Sequence, residues 1–178
     1  GAPASTSLEE QVAFISRAES LGFSGAGVAD DARFGDPFET LMAAAGETSR
    51  IWLYPAVTNP VTRTAVSQAT AMQRLAAIAP GRVKLAIGAG DAAIGDWKRP
   101  ARVGELKKAV LDIREMLGDG SVALFDRVPL GTPTELLPPP VMMAASGPRT
   151  LEAAGAVADE VLVTSGLALE AREAVTEA

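Results

Sequence analysis

Ile51-Trp52-Leu53-Tyr54-Pro55-Ala56-Val57-Thr58-Asn59-Pro60-Val61-Thr62-Arg63 is the stretch that decides the fold. Ile51 to Val57 is too apolar for a strand with one wet face, so it reads as a strand buried on both sides. Pro55 and Pro60 stiffen the loop at its carboxyl end, and Pro60 biases Asn59 toward an extended backbone. Thr64 to Ala79 then reads as a helix, closed by Pro80-Gly81. A doubly buried strand feeding a helix is half of a right-handed β-α-β unit.

The alternation continues in both directions. Upstream, Ser7-Leu8-Glu9-Glu10 has capping-box spacing. Leu8, Val12, Ile15 and Leu21 recur at helical intervals, and Gly22 supplies a stop. Ser24 to Ala29 is a strand of small residues running into Asp30-Asp31. Asp36-Pro37-Phe38-Glu39 opens the next helix, with Asp36 suited to the N-cap and Pro37 to the first helical position.

Downstream, Val83 to Gly88 is a second buried strand, ending in Gly88-Ala89-Gly90-Asp91. Val103, Leu106, Val110, Ile113 and Leu117 form one stripe of a helix from Ala101 to Leu117, stopped by Gly118 and Gly120. Regularity lapses from Ser121 to Pro140, where Pro129, Pro133 and Pro138-Pro139-Pro140 deny a sheet interior. Strand Val141–Ala145, helix Pro148–Ala158, strand Val161–Thr164 and a helix from Leu169 complete the series. This order predicts a parallel α/β fold, barrel or doubly wound, in a single domain over residues 1–178.

Composition narrows the chemistry. The 178 residues hold 16 Lys+Arg against 22 Asp+Glu, for a formal charge of −6, with no histidine and no cysteine. No disulfide, thiolate nucleophile or imidazole base is available within them, and no metal-ligating pattern appears. The acidic balance, without a basic stripe, argues against nucleic acid. No apolar run is long enough to cross a bilayer, and no signal-peptide pattern opens the chain, so the expectation is a cytoplasmic protein with no membrane partner.

In parallel α/β folds, ligands meet the loops at the carboxyl ends of the strands. Asp30 and Asp31 follow the first strand as paired carboxylates, able to act as a base or hydrogen-bond a ligand, or else one caps the loop and the other is solvated. Gly88-Ala89-Gly90-Asp91 is half of a dinucleotide fingerprint without its third glycine, equally readable as a tight turn. Ser146-Gly147-Pro148-Arg149-Thr150 leads straight into a helix. Its backbone amides, its two hydroxyls and Arg149 suit a phosphate. Thr164-Ser165-Gly166 on the neighbouring loop could close around the same group.

Taken in order, these segments resemble the luciferase-like monooxygenase superfamily, in particular its coenzyme F420-dependent branch, near methylenetetrahydromethanopterin reductase. The resemblance is carried by Glu19-Ser20-Leu21-Gly22-Phe23, Val28-Ala29-Asp30, Asp36, Pro55 to Arg63, Pro80-Gly81-Arg82, Ala86 to Asp91, Ala145 to Glu152, and Ala158-Asp159. It implies a (β/α)8 barrel of the TIM type, with a flavin or deazaflavin across the carboxyl ends of the strands. About five of the eight strands, the second to the sixth, fall within this chain. A barrel takes roughly 200 residues or more. The chain is therefore expected to be a segment of a longer one, or to have its sheet edges covered by a partner copy, which favours a homodimer.

The same resemblance implies a non-proline cis peptide at Ala56–Val57, lying with Thr58 and Gly90 against the cofactor ring. It places Ser146, Gly147, Arg149, Thr150, Thr164 and Gly166 near the cofactor phosphate, and Asp30 and Asp91 at acidic positions facing cofactor or substrate, with Asp91 handling a proton. Three positions depart from the pattern: Asp31 and Thr64 stand where many relatives have histidine, and Glu160 replaces a usual glycine. The implied activity is hydride transfer between F420 and a small organic substrate. The alternatives are an FMN-dependent two-component monooxygenase and a non-catalytic cofactor-binding scaffold.

Overall fold

A computed structural model of the chain describes residues 7–91, 98–119, 121–122, 128–129 and 137–163. Helix α1 (Leu8–Ser20) starts at the expected capping box: the Ser7 amide donates to Glu10 Oε2 at 2.8 Å and the Glu10 amide to Ser7 Oγ at 3.3 Å. Strand β1 (Gly25–Val28) leads to α2 (Pro37–Glu47), whose N-cap Asp36 accepts the Phe38 amide at 2.9 Å. Strand β2 (Trp52–Pro55), helix α3 (Ala65–Ile78), β3 (Leu85–Ile87) and α4 (Val103–Asp119) follow. Short strands β4 (Ser121–Val122) and β5 (Val128–Pro129) pair antiparallel, and β6 (Val141–Ala145), α5 (Pro148–Val157) and β7 (Glu160–Val163) close the series.

Among the described residues, five strands run parallel in the order β1-β2-β3-β6-β7. Gly25 pairs with Trp52, Leu85 with Val141, and Met142 with Glu160, while single bridges Leu53–Val83 and Thr58–Ile87 join β2 to β3. Each neighbour is the next parallel strand along the chain, which is the arrangement of a (β/α) barrel wall.

Three local expectations change, the first at the β4–β5 pair, which lies in the stretch from Ser121 to Pro140 where regularity is expected to lapse. Helix α4 runs through Gly118 to Asp119, because glycine inside a helix costs only about 1 kcal/mol and the stripe before it is already buried. Strand β2 buries Leu53 and Pro55 while Trp52 and Tyr54 stay half-buried, so one face packs on helices and the other lines the concave side.

The core lies between the convex face of the sheet and the helices. Leu53, Leu85, Ile87, Val141 and Met143 meet Leu41, Met72, Leu75, Leu106, Val110, Ile113 and Ala154 there, all at most 1 % exposed. The amino ends of the strands are stapled by charged side chains. Arg82 donates to the Ala45 and Thr48 carbonyls at 2.7 Å, closing the end of α2. Asp159 pairs with Arg114 at 2.7 Å and accepts the Val141 amide at 2.9 Å.

Glu19 receives the amides of Ser49, Arg50 and Ile51. The Ile51 and Arg50 amides hold its carboxyl below the usual carboxylate range. A lowered folded value means the stabilisation is complete above the unfolded pKa, near 4.3, and disappears as pH falls through the folded value. Glu19→Gln therefore melts at a lower temperature than the parent at pH 7. The gap narrows in melts recorded below about pH 4, where the parent carboxylate is itself being protonated.

Candidate functional site

The carboxyl ends of β1, β2, β3 and β6 form a floor of small residues. A Cβ on Gly27 would stand 2.5 Å from Ala56 Cβ, and one on Gly88 would stand 2.8 Å from Val57 Cγ2 and 3.4 Å from Ala144 Cβ. These distances leave no room for larger residues at either glycine and set Gly27 against Ala56, and Gly88 against Val57 and Ala144. The Ala56–Val57 peptide bond is cis, at the position the resemblance indicated. Ala56 and Val57 are half-buried and Thr58 is buried.

Behind the floor, Asp30 is anchored rather than free. Its carboxylate accepts Thr58 Oγ1 at 2.7 Å, Arg63 Nε at 2.7 Å and Arg63 Nη2 at 3.1 Å. Arg63 also reaches Asp36 at 3.2 Å and lies over the Phe38 ring at 5.3 Å. This two-pronged pair ties the β1 loop, the β2 loop and the start of α2 together, a geometry that suits support of the site.

Asp31 carries its own partner. Its Oδ1 accepts the amide and Nε of Arg33 at 2.9 Å each, and the Arg33 side-chain and amide hydrogen bonds bring its pKa to about 2. Of the two readings offered for these carboxylates, Asp31 caps its loop, and neither it nor Asp30 stands solvated without a partner. Asp31 is thus held as a carboxylate by its own loop, at a position where the resemblance leads one to expect histidine.

The other departures have structural occupations too. Thr64 is the N-cap of α3, its Oγ1 accepting the Ser67 amide at 3.2 Å. Glu160 binds Lys84 Nζ at 2.6 Å, and Lys84 sits 4.6 Å above the Trp52 ring on the concave face.

Gly90 has φ +92°, and Asp91 after it is exposed at the carboxyl end of β3. Across the floor, Gly147 is the N-cap of the ten-residue α5 with no side-chain cap, Pro148 fills its first position, and Arg149 is exposed with Thr150 half-buried beside it. An uncapped helix start presents backbone N–H groups and a positive dipole end to an anion. Thr164 and Gly166 lie outside the described residues. Among those described, no group of three or more His, Cys, Asp or Glu residues could hold a metal, and no helix is long and apolar enough to cross a membrane.

The site therefore joins a small-residue floor to an uncapped helix start, with a carboxylate at the rim. The sequence profile of the luciferase-like monooxygenase family matches residues 1–178. The chain belongs to that family.

Within the family, the chain is 32% identical over 159 residues to 5,10-methylenetetrahydromethanopterin reductase of Methanolobus tindarius, covering 83% of this chain and 48% of the relative. It is 34% identical over 175 residues to F420-dependent glucose-6-phosphate dehydrogenase of Intrasporangium calvum, covering 84% and 52%. The structure of coenzyme F420-dependent tetrahydromethanopterin reductase from Methanopyrus kandleri superposes with a TM-score of 0.75 at 25% identity, covering 89% of this chain and 52% of that one. The chain spans about half the length of the curated relatives it matches.

Sequence reading missed Arg63 as the partner of Asp30 and Asn59 as the neighbour of Gly90. Both residues lie in the quoted Pro55–Arg63 segment. A pairing between residues 33 positions apart has no local signature.

Proposed function

We propose that the protein is an F420-dependent oxidoreductase in which the deazaflavin lies on the Ala56-Val57-Gly88-Ala144 floor. The observation that carries this reading is the junction of that floor with the uncapped start of α5, since a tricyclic ring and a phosphate arm need both. The residues fit the group: a Cβ at Gly88 would fill the space over Val57, and Gly147 has no side chain to compete for the helix amides. F420 supplies two-electron hydride acceptance and donation when bound.

The chain's own residues do the rest. Gly147, Arg149 and Thr150, with Ser146 beside them, bind the phosphate through backbone amides, charge and hydroxyls. The floor orients the ring and keeps water from its lower face. Asp91 holds or releases a proton at the substrate atom that gains or loses charge as hydride moves. Asp30 keeps Thr58 and the loop below it in place. The relatives' names make 5,10-methylenetetrahydromethanopterin and glucose 6-phosphate the first probes in an F420-linked assay. In solution we place the protein as a homodimer acting on a small organic substrate.

Quenching of cofactor fluorescence decides between deazaflavin and flavin. Titration with F420 is expected to give saturable quenching with a dissociation constant at least about tenfold below that for FMN, a preference of about 1.4 kcal/mol. Tighter binding of FMN would move the protein to the flavin-dependent monooxygenases. Binding of F420 with no turnover of either probe would favour a cofactor-binding scaffold.

A further inference from the structure

Asn59 stands where the β2 loop meets the β3 loop, and its side chain is fully buried. Its Oδ1 accepts the amides of Val61 and Thr62 at 3.0 and 2.9 Å and Thr62 Oγ1 at 3.1 Å, which fixes the orientation of the carboxamide. Its backbone carbonyl accepts Nε2 of the equally buried Gln68 at 3.2 Å, and the same Nε2 donates to the Arg63 carbonyl at 3.1 Å. The residue can neither rotate nor withdraw without breaking these bonds.

Against this fixed group lies the backbone of Gly90. A Cβ there would come within 2.9 Å of Asn59 Cγ, 3.0 Å of its Cβ and 3.1 Å of its Oδ1. One strand step earlier, the Thr58 amide donates to the Ala86 carbonyl at 2.9 Å and the Gly88 amide to the Thr58 carbonyl at 2.8 Å. Beyond Gly88 this main-chain pairing gives way to the contact between Gly90 and Asn59. Gly90, at φ +92°, sits in the left-handed region that favours glycine. Asp91 follows it directly.

We propose that Asn59 is a positioning residue: its carboxamide, wedged under Gly90, sets the turn that carries Asp91. The inference rests on the proposed role of Asp91 in proton transfer. Asn59 Nδ2 is buried without a hydrogen-bond partner among the described residues. A buried donor in that state is costly, which is consistent with a group retained for the surface it presents.

Asn59→Ser tests this. A serine hydroxyl can still accept the Val61 amide and hold the local turn, but it leaves a gap beneath Gly90. In the cofactor-free protein, amide exchange at Gly90 and Asp91 is expected to quicken by about tenfold or more while α1 keeps its protection. In the F420-linked assay kcat is expected to fall about 10- to 100-fold, with KM and the F420 dissociation constant within about threefold, as for a displaced catalytic group. Asn59→Ser combined with Asp91→Asn should be no slower than Asp91→Asn alone.

Unchanged exchange at Gly90, or losses that multiply in the double variant, would overturn the proposal. If Asp91→Asn turns over like the parent, the proton role of Asp91 fails and the positioning role fails with it, whereas the exchange measurement still reports whether the wedge exists. Should Asn59→Ser not fold, Asn59→Asp keeps the volume of the wedge. Gly90 protection retained in that variant supports the proposal, and protection lost there overturns it.

Discussion

Arg63→Met is expected to lower the free energy of unfolding by about 3–5 kcal/mol, the cost of removing one partner from a largely buried ion pair. The Asp30 side chain is 8 % exposed, and two of its three hydrogen bonds come from Arg63. Without the guanidinium, a carboxylate remains in a nearly closed site with only the Thr58 hydroxyl to satisfy it. Methionine keeps an apolar stem but not the guanidinium that lies over the Phe38 ring at 5.3 Å, so the loss includes that cation–π contact as well as the ion pair. Adding Asp30→Asn to Arg63→Met should restore part of the stability, since no uncompensated charge is then buried. Urea melts of the parent, both single variants and the double variant measure this coupling directly. Simple additivity would mean that Asp30 and Arg63 do not hold the loops together.

Asp91→Asn is expected to reduce turnover in the F420-linked assay by about 10²- to 10⁴-fold, the range for loss of a general acid or base. Dissociation of F420 should change little, because Asp91 lies at the rim while the proposed binding surface is the floor and the start of α5. Asparagine keeps the volume and the hydrogen-bonding reach of aspartate and removes only the transferable proton. Equal steady-state rates in parent and variant would exclude Asp91 from the chemistry. A matched loss of affinity and rate would instead make it a binding residue.

Much of the fold was legible because its signals are local. Capping residues Ser7, Asp36 and Thr64 sit where helices start, and each makes the bond its type suggests. The apolar stripe of α4 is buried from Leu106 to Leu117, with Val103 half-buried at its start. The antiparallel pair β4–β5 escaped notice, because two-residue strands beside prolines carry no period to detect. Both faces of β2 read as buried because Trp52 and Tyr54 are apolar. In the fold they lie over Gly25 and Gly27, on the concave side.

The site was legible only through its loops. Glu19, Arg82 and Asp159 carried the family resemblance as motif residues. In the structure they bind backbone groups at the amino ends of the strands, far along the chain from their partners. Asp30 likewise has a charge that suggests chemistry, and in the structure its carboxylate is bound by Arg63 and Thr58. Residue type marks a polar group as unusual at a strand end. Whether that group faces a ligand or another loop depends on contacts formed only on folding.

The most direct measurement of the proposed cofactor site is an amide-exchange map of the protein with and without F420. Saturating F420 is predicted to slow exchange at Ala56, Val57, Thr58, Gly90, Ser146, Gly147, Arg149 and Thr150, and to leave the outer faces of α1 and α4 unchanged. Saturable binding with protection confined to those helices, or with no protection along the Ala56–Thr58 and Ser146–Thr150 segments, would contradict it.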